Sequence, residues 1–252
     1  MNNRLLILLF TICFSSLKAQ KSETTFGLQY KPIIPISFFD ASNIEGNSEG
    51  YFFDLKPKYS YSMGMVIRHK INHTFSVESG LNYIQRNFKL GILKSDSISI
   101  DDYTEFGMRT YELPLQLLAY VQIKEDWFVN AAFGISYNTL ASDIYSEGNK
   151  IEGFYQNTYR KHGGYMALLA NVGLEYRTID KGNYYFGASL HRPFENIAYV
   201  VPEYELTNFN DASNFYLEML GNFISIDFIS YEFISFDFIK IFIFNKKFKI
   251  FI

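Results

Sequence analysis

Sulfur, tryptophan and proline are scarce in this 252-residue chain, which holds one cysteine, one tryptophan and six prolines. The lone Cys13 excludes a disulfide scaffold and a thiolate metal cluster. Charged residues make up 19%, below the ~25% usual for soluble domains. The net charge of −3 leaves no basic excess, which argues against nucleic acid as a partner. No apolar run reaches the ~18 residues that a membrane-spanning helix needs. What the chain has in abundance is aromatic rings: 20 Tyr and 26 Phe bring the aromatic fraction to 19%. That composition excludes a disordered chain, a coiled coil and a collagen-like protein.

The N-terminus is an address. Asn2, Asn3 and Arg4 precede the apolar run Leu5–Phe14, and Lys18-Ala19-Gln20 supplies a cleavage region. Residues 1–19 therefore read as a secretory signal peptide, too short to span a bilayer as a helix. A lipoprotein reading would modify Cys13, but Thr11 and Ile12 fit poorly before it. Cleavage after Ala19 removes Arg4 and Lys18, leaving 21 basic against 26 acidic side chains, a net charge of −5.

The remaining chain shows period-two alternation, the signature of strands. Tyr59, Tyr61, Met63, Met65 and Ile67 fall on one face, with Ser60, Ser62, Gly64, Arg68 and Lys70 on the other. The same pattern recurs over 74–88, 109–122, 127–140, 165–177 and 184–192. A shorter first strand runs over 25–32 and a last one over 214–228. Eight strands of roughly this length match the ~9–11 residues of a tilted transmembrane strand. Three connections are short (72–73, 124–126 and 180–183) and four are long (40–58, 91–107, 141–164 and 194–213). Short turns at one rim and long connections at the other are the layout of outer-membrane barrels. The expected fold is thus all-β, an eight-stranded antiparallel up-and-down transmembrane β-barrel over residues 20–233, with the long connections outside the cell and both termini in the periplasm.

Outward parity places Tyr59, Tyr61, Tyr83, Tyr111 and Tyr137 near the long-connection rim, and Trp127, Tyr176 and Tyr184 near the short-turn rim. Two such girdles suit rings sitting at lipid headgroups. Gly27, Gly64, Gly80, Gly134, Gly173, Gly187 and Gly221 take inward positions, where a narrow barrel has little room. Pro114 is expected inward, marking a bulge or break.

The signal peptide, the eight alternating strands, the segment Tyr111-Glu112-Leu113-Pro114-Leu115 and the Gly-x-x-Tyr and Gly-x-x-x-Tyr pieces (Gly80–Tyr83, Gly134–Tyr137, Gly173–Tyr176) resemble the PorT-like group of small outer-membrane β-barrel proteins. The resemblance covers about residues 20–228 and implies the barrel, with some members implicated in secretion or surface assembly. It carries no specific chemistry.

The C-terminus departs from that pattern. Residues 224–228, 229–233 and 234–238 are tandem copies of one five-residue unit, and Ile239–Ile252 uses only Ile, Phe, Lys and Asn. Five is odd, so Asp227, Glu232 and Asp237 alternate faces along one strand. Residues 234–252 read as an appended, aggregation-prone extension; a ten-stranded barrel that uses them is the competing account.

The sequence assigns no catalytic, cofactor-binding or metal-binding residue. His162 beside Asp143 or Glu152 would be the base of a lipid-modifying enzyme, but no nucleophile motif accompanies it. The inward set Lys31, Arg68, Lys70, Glu78, Arg86, Glu112, Glu175, Arg177 and His191 contains both signs and is expected to pair across a plugged lumen; an ion path is the alternative. The long connections carry fifteen acids against six bases, −9 in all. Their aromatic pieces, Tyr51-Phe52-Phe53 and Phe154-Tyr155, point to contacts with a protein or saccharide partner. The expected function is a non-catalytic barrel that contacts outer-membrane lipid and presents its connections for anchoring, surface binding or partner assembly. The alternative is an outer-membrane lipid-modifying enzyme or small channel.

Overall fold

The computed structural model describes residues 24–35, 43–48, 50–94, 100–150, 153–178, 182–204 and 215–233. The candidate signal peptide and the extension 234–252 lie outside them. The strands, in chain order, are β1 (Thr24–Ile34), β2 (Ile44–Ser48), β3 (Tyr51–Pro57), β4 (Ser60–Lys70), β5 (Phe75–Lys94), β6 (Ile100–Lys124), β7 (Trp127–Leu140), β8 (Ile144–Glu147), β9 (Phe154–Arg160), β10 (Gly164–Arg177), β11 (Asn183–Pro193), β12 (Ala198–Tyr204), β13 (Leu217–Met219) and β14 (Phe223–Phe233). There is no helix among the described residues.

Eight strands form a closed antiparallel ring in the order β1-β4-β5-β6-β7-β10-β11-β14, with β14 pairing back onto β1. The pairing Tyr30↔Phe228 and Thr25↔Phe233 closes it, so the barrel has eight strands. Alternation along each strand separates the two faces. Leu28, Met65, Leu81, Leu115, Phe133, Val172 and Phe186 are exposed outward, whereas Gln29, Arg68, Asn82, Gln116, Asn130 and Glu175 are buried inward. Apolar-out and polar-in is the inverse of a soluble barrel and the pattern of a transmembrane one.

Both girdles form. Tyr30, Tyr61, Tyr83 and Tyr111 run side by side across β1, β4, β5 and β6, with centroids 6.4, 6.4 and 5.9 Å apart. Trp127 and Tyr176 meet at 5.0 Å near the short-turn rim. The short turns are held locally. Asn72 Oδ1 accepts from the N–H groups of Thr74 and Phe75 at 2.8 and 2.7 Å, and Gly182 takes φ +83° where β10 turns into β11.

Two expectations need correction. The last barrel strand is not 214–228: Leu217–Met219 forms β13 elsewhere, and the barrel strand is Phe223–Phe233. Gly221 is accordingly no mid-strand glycine but sits between them at φ +76°, a left-handed conformation that glycine adopts without steric cost. Pro114, expected to mark a bulge or break, marks a break. It pairs with Ser136 on β7 and leaves a two-residue gap in the β5 ladder without shifting register. The Ser79 hydroxyl donates to the Pro114 carbonyl at 2.8 Å, replacing part of the lost ladder; the register shift in β6 lies at Gln122/Lys124.

The larger correction concerns the long connections, whose described residues are largely strand. β5 and β6, of 20 and 25 residues, continue far past the girdle. At ~3.3 Å per residue and a ~40° tilt, β6 rises roughly 60 Å, against an apolar band ~25 Å tall. The β2–β3 hairpin takes the β5 edge that β4 leaves free. β8, β9, β12 and β13 form a second, four-stranded sheet in the order β13-β12-β9-β8. The fold places the short turns and the long extensions at opposite rims. Single cysteines at Asn47 and Asn149 should therefore label with an impermeant reagent on intact cells, and one at Lys181 should not. Labelling at Lys181 alone would mean the reverse orientation. Leu115→Arg, on the lipid face, should cost ~2–4 kcal/mol in a refolding titration.

Candidate functional site

The lumen is filled in layers. At the short-turn end, Arg68 lies between two carboxylates: its Nε donates to Glu78 at 3.0 Å and its Nη1 to Glu175. The Tyr231 hydroxyl accepts from Arg68 and donates to Glu78 at 2.8 Å. Arg177 donates to the other oxygen of Glu175 at 2.7 Å and stacks over Tyr120 and Phe128 at 4.6 and 4.0 Å. Arg68 and Glu78 face each other directly across the β4–β5 ladder, while Glu175 reaches them from β10 on the far wall and Tyr231 from β14, two strands from β4.

The middle layer centres on Asp227, fully buried. Lys31 pairs with it at 3.2 Å. Asn171 and Ser225 donate to it at 2.9 Å each, and Ser189 also contacts it. Tyr185 donates to Asn171 at 2.7 Å. Its ring occupies space that the adjacent Gly173 and Gly187 vacate, since a Cβ on Gly187 would fall 2.0 Å from the Tyr185 hydroxyl. Across the same layer Asn82 bridges Gln29 to Glu112.

Above it, Arg86 donates to the Gly221 carbonyl at 2.8 Å, the Tyr165 hydroxyl at 3.0 Å and the Thr110 hydroxyl at 3.2 Å. His191 stacks flat on Phe223 at 4.5 Å and sits 3.3 Å from Asn138 Oδ1 and 3.5 Å from Glu112 Oε1. A void of about 20 Å³ beside Lys31, Glu112, Gln116 and His191 has room for about one water. An inlet of about 130 Å³ opens between Thr25, Lys70, Ser76 and Arg177 at the short-turn rim.

Of the pairs that form, Arg68–Glu175 crosses the lumen as expected, whereas Arg68–Glu78 and Lys31–Asp227 join neighbouring strands and Arg177–Glu175 lies within β10. Glu112 accepts from Asn82, and Arg86 binds hydroxyls and a carbonyl rather than a carboxylate. Sequence reasoning missed Asp227 as the central lumen acid, and Tyr120, Tyr165, Tyr185 and Tyr231 as lumen residues. Parity along the correctly placed β14 carries the signal for Asp227: Ser225, Asp227, Ile229 and Tyr231 all point in, while Glu232 is exposed outside.

Over these layers lies an apolar core shared by all the long connections. Tyr51, Phe53 and Leu55 of β3, Leu90 and Ile92 of β5, Phe106 of β6, Phe154 of β9, Ile197, Ala198, Val200 and Tyr204 around β12, and Leu217 and Met219 of β13 are all buried in one cluster. Tyr51 meets Tyr204 at 5.7 Å and Phe53 meets Phe215 at 5.2 Å. At one edge of this sandwich the Thr104 hydroxyl donates to Ser146 Oγ at 2.7 Å. Asp102 is buried there and accepts three backbone N–H groups, from Tyr103, Lys150 and Asn149 at 2.7, 2.9 and 3.2 Å. Tyr51, Phe53 and Phe154, expected as exposed partner contacts, are therefore core residues. Tyr155, one residue on from Phe154, lies on the opposite face.

Five of the described acids of the long connections pair with bases of those connections. Glu105 holds Lys58 at 2.7 Å, Asp101 holds Lys150 at 3.3 Å, and Asp54 holds Lys56. Asp143 accepts the backbone N–H and the guanidinium of Arg160 at 3.1 and 2.9 Å, which holds its carboxyl below the usual carboxylate range. His162 is exposed and lies 3.7 Å from Glu195, which also binds Lys161 at 3.2 Å and raises that ammonium's pKa. The structure brings His162 to Glu195 rather than to Asp143; Glu152 lies outside the described residues.

No family model and no curated protein matches the chain. Solved structures do. The outer membrane protein OprG from Pseudomonas aeruginosa superposes with a TM-score of 0.50 at 11% identity, over 85% of this chain and 97% of that one. The outer membrane protease OmpT from Escherichia coli gives 0.38 at 10% identity, over 83% and 93%. The translocator domain of the autotransporter NalP from Neisseria meningitidis gives 0.34 at 11%, over 92% and 95%. The closed ring, the apolar outer face with its girdles and the likeness to OprG make this chain an outer-membrane β-barrel in fold.

Proposed function

We propose that the chain is a non-catalytic, non-conducting barrel that anchors a prefolded β-platform outside the cell for surface binding or partner assembly. The observation that carries this reading is the buried core shared by β3, β5, β6, β9, β12 and β13. An anchor with disordered loops would have no use for it, and a channel would be blocked by it. The filled lumen beneath supports the same reading. Lys31, Arg68, Arg86 and Arg177 face Glu78, Glu112, Glu175 and Asp227 within a ring too narrow for more than side chains. The reading also agrees with the resemblance to PorT-like barrels, which supplies the barrel and no chemistry.

Planar-bilayer recording of the purified protein tests it, with incubation on lipopolysaccharide or phospholipid as a second arm. The expected results are no conductance above the bare bilayer and no lipid product. Ion conduction, or a lipid product that disappears in His162→Ala, would replace this reading with a channel or an enzyme.

Two stability outcomes follow from the filled interior. Arg68→Ala leaves Glu78 and Glu175 buried without their cation and should cost ~3–5 kcal/mol in urea refolding. Leu55→Ala opens a cavity in the platform core and should cost ~2–5 kcal/mol there. Its first sign should be protease nicking of the long connections while the barrel still migrates in its folded, heat-modifiable form.

A further inference from the structure

The outer face of the β13-β12-β9-β8 sheet turns away from the platform core and carries a regular array. Alternation puts Tyr145 and Glu147 of β8, Tyr155, Asn157 and Tyr159 of β9, Tyr199, Val201 and Glu203 of β12, and Glu218 of β13 on this side. The register aligns them in rows. Glu147, Tyr155 and Glu203 lie directly opposite one another across three strands. Tyr145, Asn157 and Val201 form the next row. Tyr159, Tyr199 and Glu218 form the third. Tyr216 joins this row by an edge contact with Tyr199 at 5.2 Å, and Tyr145 packs on Tyr155 at 5.9 Å.

The large rings are open to solvent, with Tyr145 at 56%, Tyr159 at 47% and Tyr216 at 50% exposure. No lysine or arginine occupies an outward position in these four strands. The basic neighbours at its margin are already engaged, Arg160 by Asp143 and Lys161 by Glu195. The face therefore carries three carboxylates and five phenol rings with no cation among them. Glu147 accepts from the Tyr145 hydroxyl at 3.0 Å and Glu203 from the Asn157 amide at 2.9 Å, each through Oε1. These bonds hold the carboxylates level with the rings.

A ring beside a carboxylate is what a guanidinium or ammonium group needs: the π-face attracts the cation and the acid pairs with it. The first and third rows both offer that combination. They lie four residues apart, roughly 13 Å along the strands at ~3.3 Å per residue. An extended polypeptide has the same repeat, so basic side chains four positions apart would meet both rows at once. The negative charge disfavours anionic ligands. The amide donors at the face, Asn157 and Asn196, are committed to Glu203 and Glu218, and the uncompensated carboxylate charge favours a cationic ligand over a neutral glycan. We propose that this face docks a lysine- or arginine-rich polypeptide segment, with rings and carboxylates sharing each cation. The proposal rests on the platform reading and supplies its partner chemistry.

Fluorescein-labelled nona-arginine, followed by anisotropy with the full chain in polyoxyethylene-detergent micelles, tests it. Binding should weaken as salt rises, because exposed charges are screened. The pairs Glu147→Gln/Glu203→Gln and Tyr159→Thr/Tyr199→Thr should each raise Kd by about tenfold, a loss of ~1.4 kcal/mol. Threonine keeps strand propensity, and heat-modifiable migration reports that each variant is folded. Asp101→Asn/Glu105→Gln removes the same charge from another face and should change Kd less than about twofold. Equal weakening by both acid pairs would overturn the proposal, since only overall charge would then be at work. Absence of peptide binding, or binding of maltoheptaose instead, would overturn the partner class while leaving a non-conducting barrel with its platform. Ion conduction by the same preparation is the separate result that would overturn the platform reading.

Discussion

In hydrocarbon a backbone N–H or C=O without a partner costs several kcal/mol, so a membrane-spanning sheet has to close. In this chain closure falls to one contact, the antiparallel pairing of β14 with β1. It joins residues some 200 positions apart in sequence and fixes the parity of β14. That parity drives Asp227 and Tyr231 inward and Phe228 and Glu232 outward. The lower and the middle networks of the lumen both depend on it. Lys31 from β1 needs Asp227, and Arg68 from β4 needs the Tyr231 hydroxyl beside Glu78.

An eight-stranded ring leaves an interior that only side chains can fill. Buried charges in that space need polar partners, because desolvating a lone ion costs several kcal/mol. Arg68 meets the requirement with two carboxylates, a hydroxyl and the Tyr231 ring. Asp227 meets it with one ammonium, one amide and two hydroxyls. Space is as limiting as charge: Tyr185 reaches Asn171 only because Gly173 and Gly187 sit side by side without side chains. The interior is therefore jointly determined. Tyr165, Tyr185 and Tyr231 each find a polar partner on another strand, and the Tyr120 ring lies under Arg68 and Arg177.

Above the bilayer the constraint changes sign. There water satisfies the backbone, and apolar side chains are what must be hidden. β5 and β6 serve both regimes, since they run from the lipid zone into the platform without interruption. Phe88, Leu90, Ile92, Phe106 and Met108 keep their inward parity, but their partners become the hydrophobic inner face of β9, β12 and β13 instead of polar lumen residues. The barrel thus passes into a sandwich through two unbroken strands. The sandwich's outer face is free to carry tyrosines and carboxylates that the lumen could not hold exposed and the lipid face could not hold charged.

Period-two alternation made the eight barrel strands legible, because lipid outside and polar contacts inside impose opposite chemistry on successive residues. The bounds of β7 and the facing of Arg68, Glu78, Glu112 and Glu175 are readable one residue at a time. The platform was not legible for the same reason. Its strands are short, and Tyr51, Phe53 and Phe154 look like exposed aromatic tips until a second sheet is laid over them. Asp102 reads as a solvated loop acid, yet it is buried because the β8–β9 hairpin brings backbone N–H groups to it. β14 was misplaced because the tandem five-residue units repeat with an odd period and blur the two-residue signal. The sequence by itself determined which residues face lipid, since that depends only on neighbours along one strand. Which carboxylate meets which cation, and which face of the outer sheet meets water, was decided by tertiary structure, because those contacts join strands whose separation only ring closure and sheet packing define.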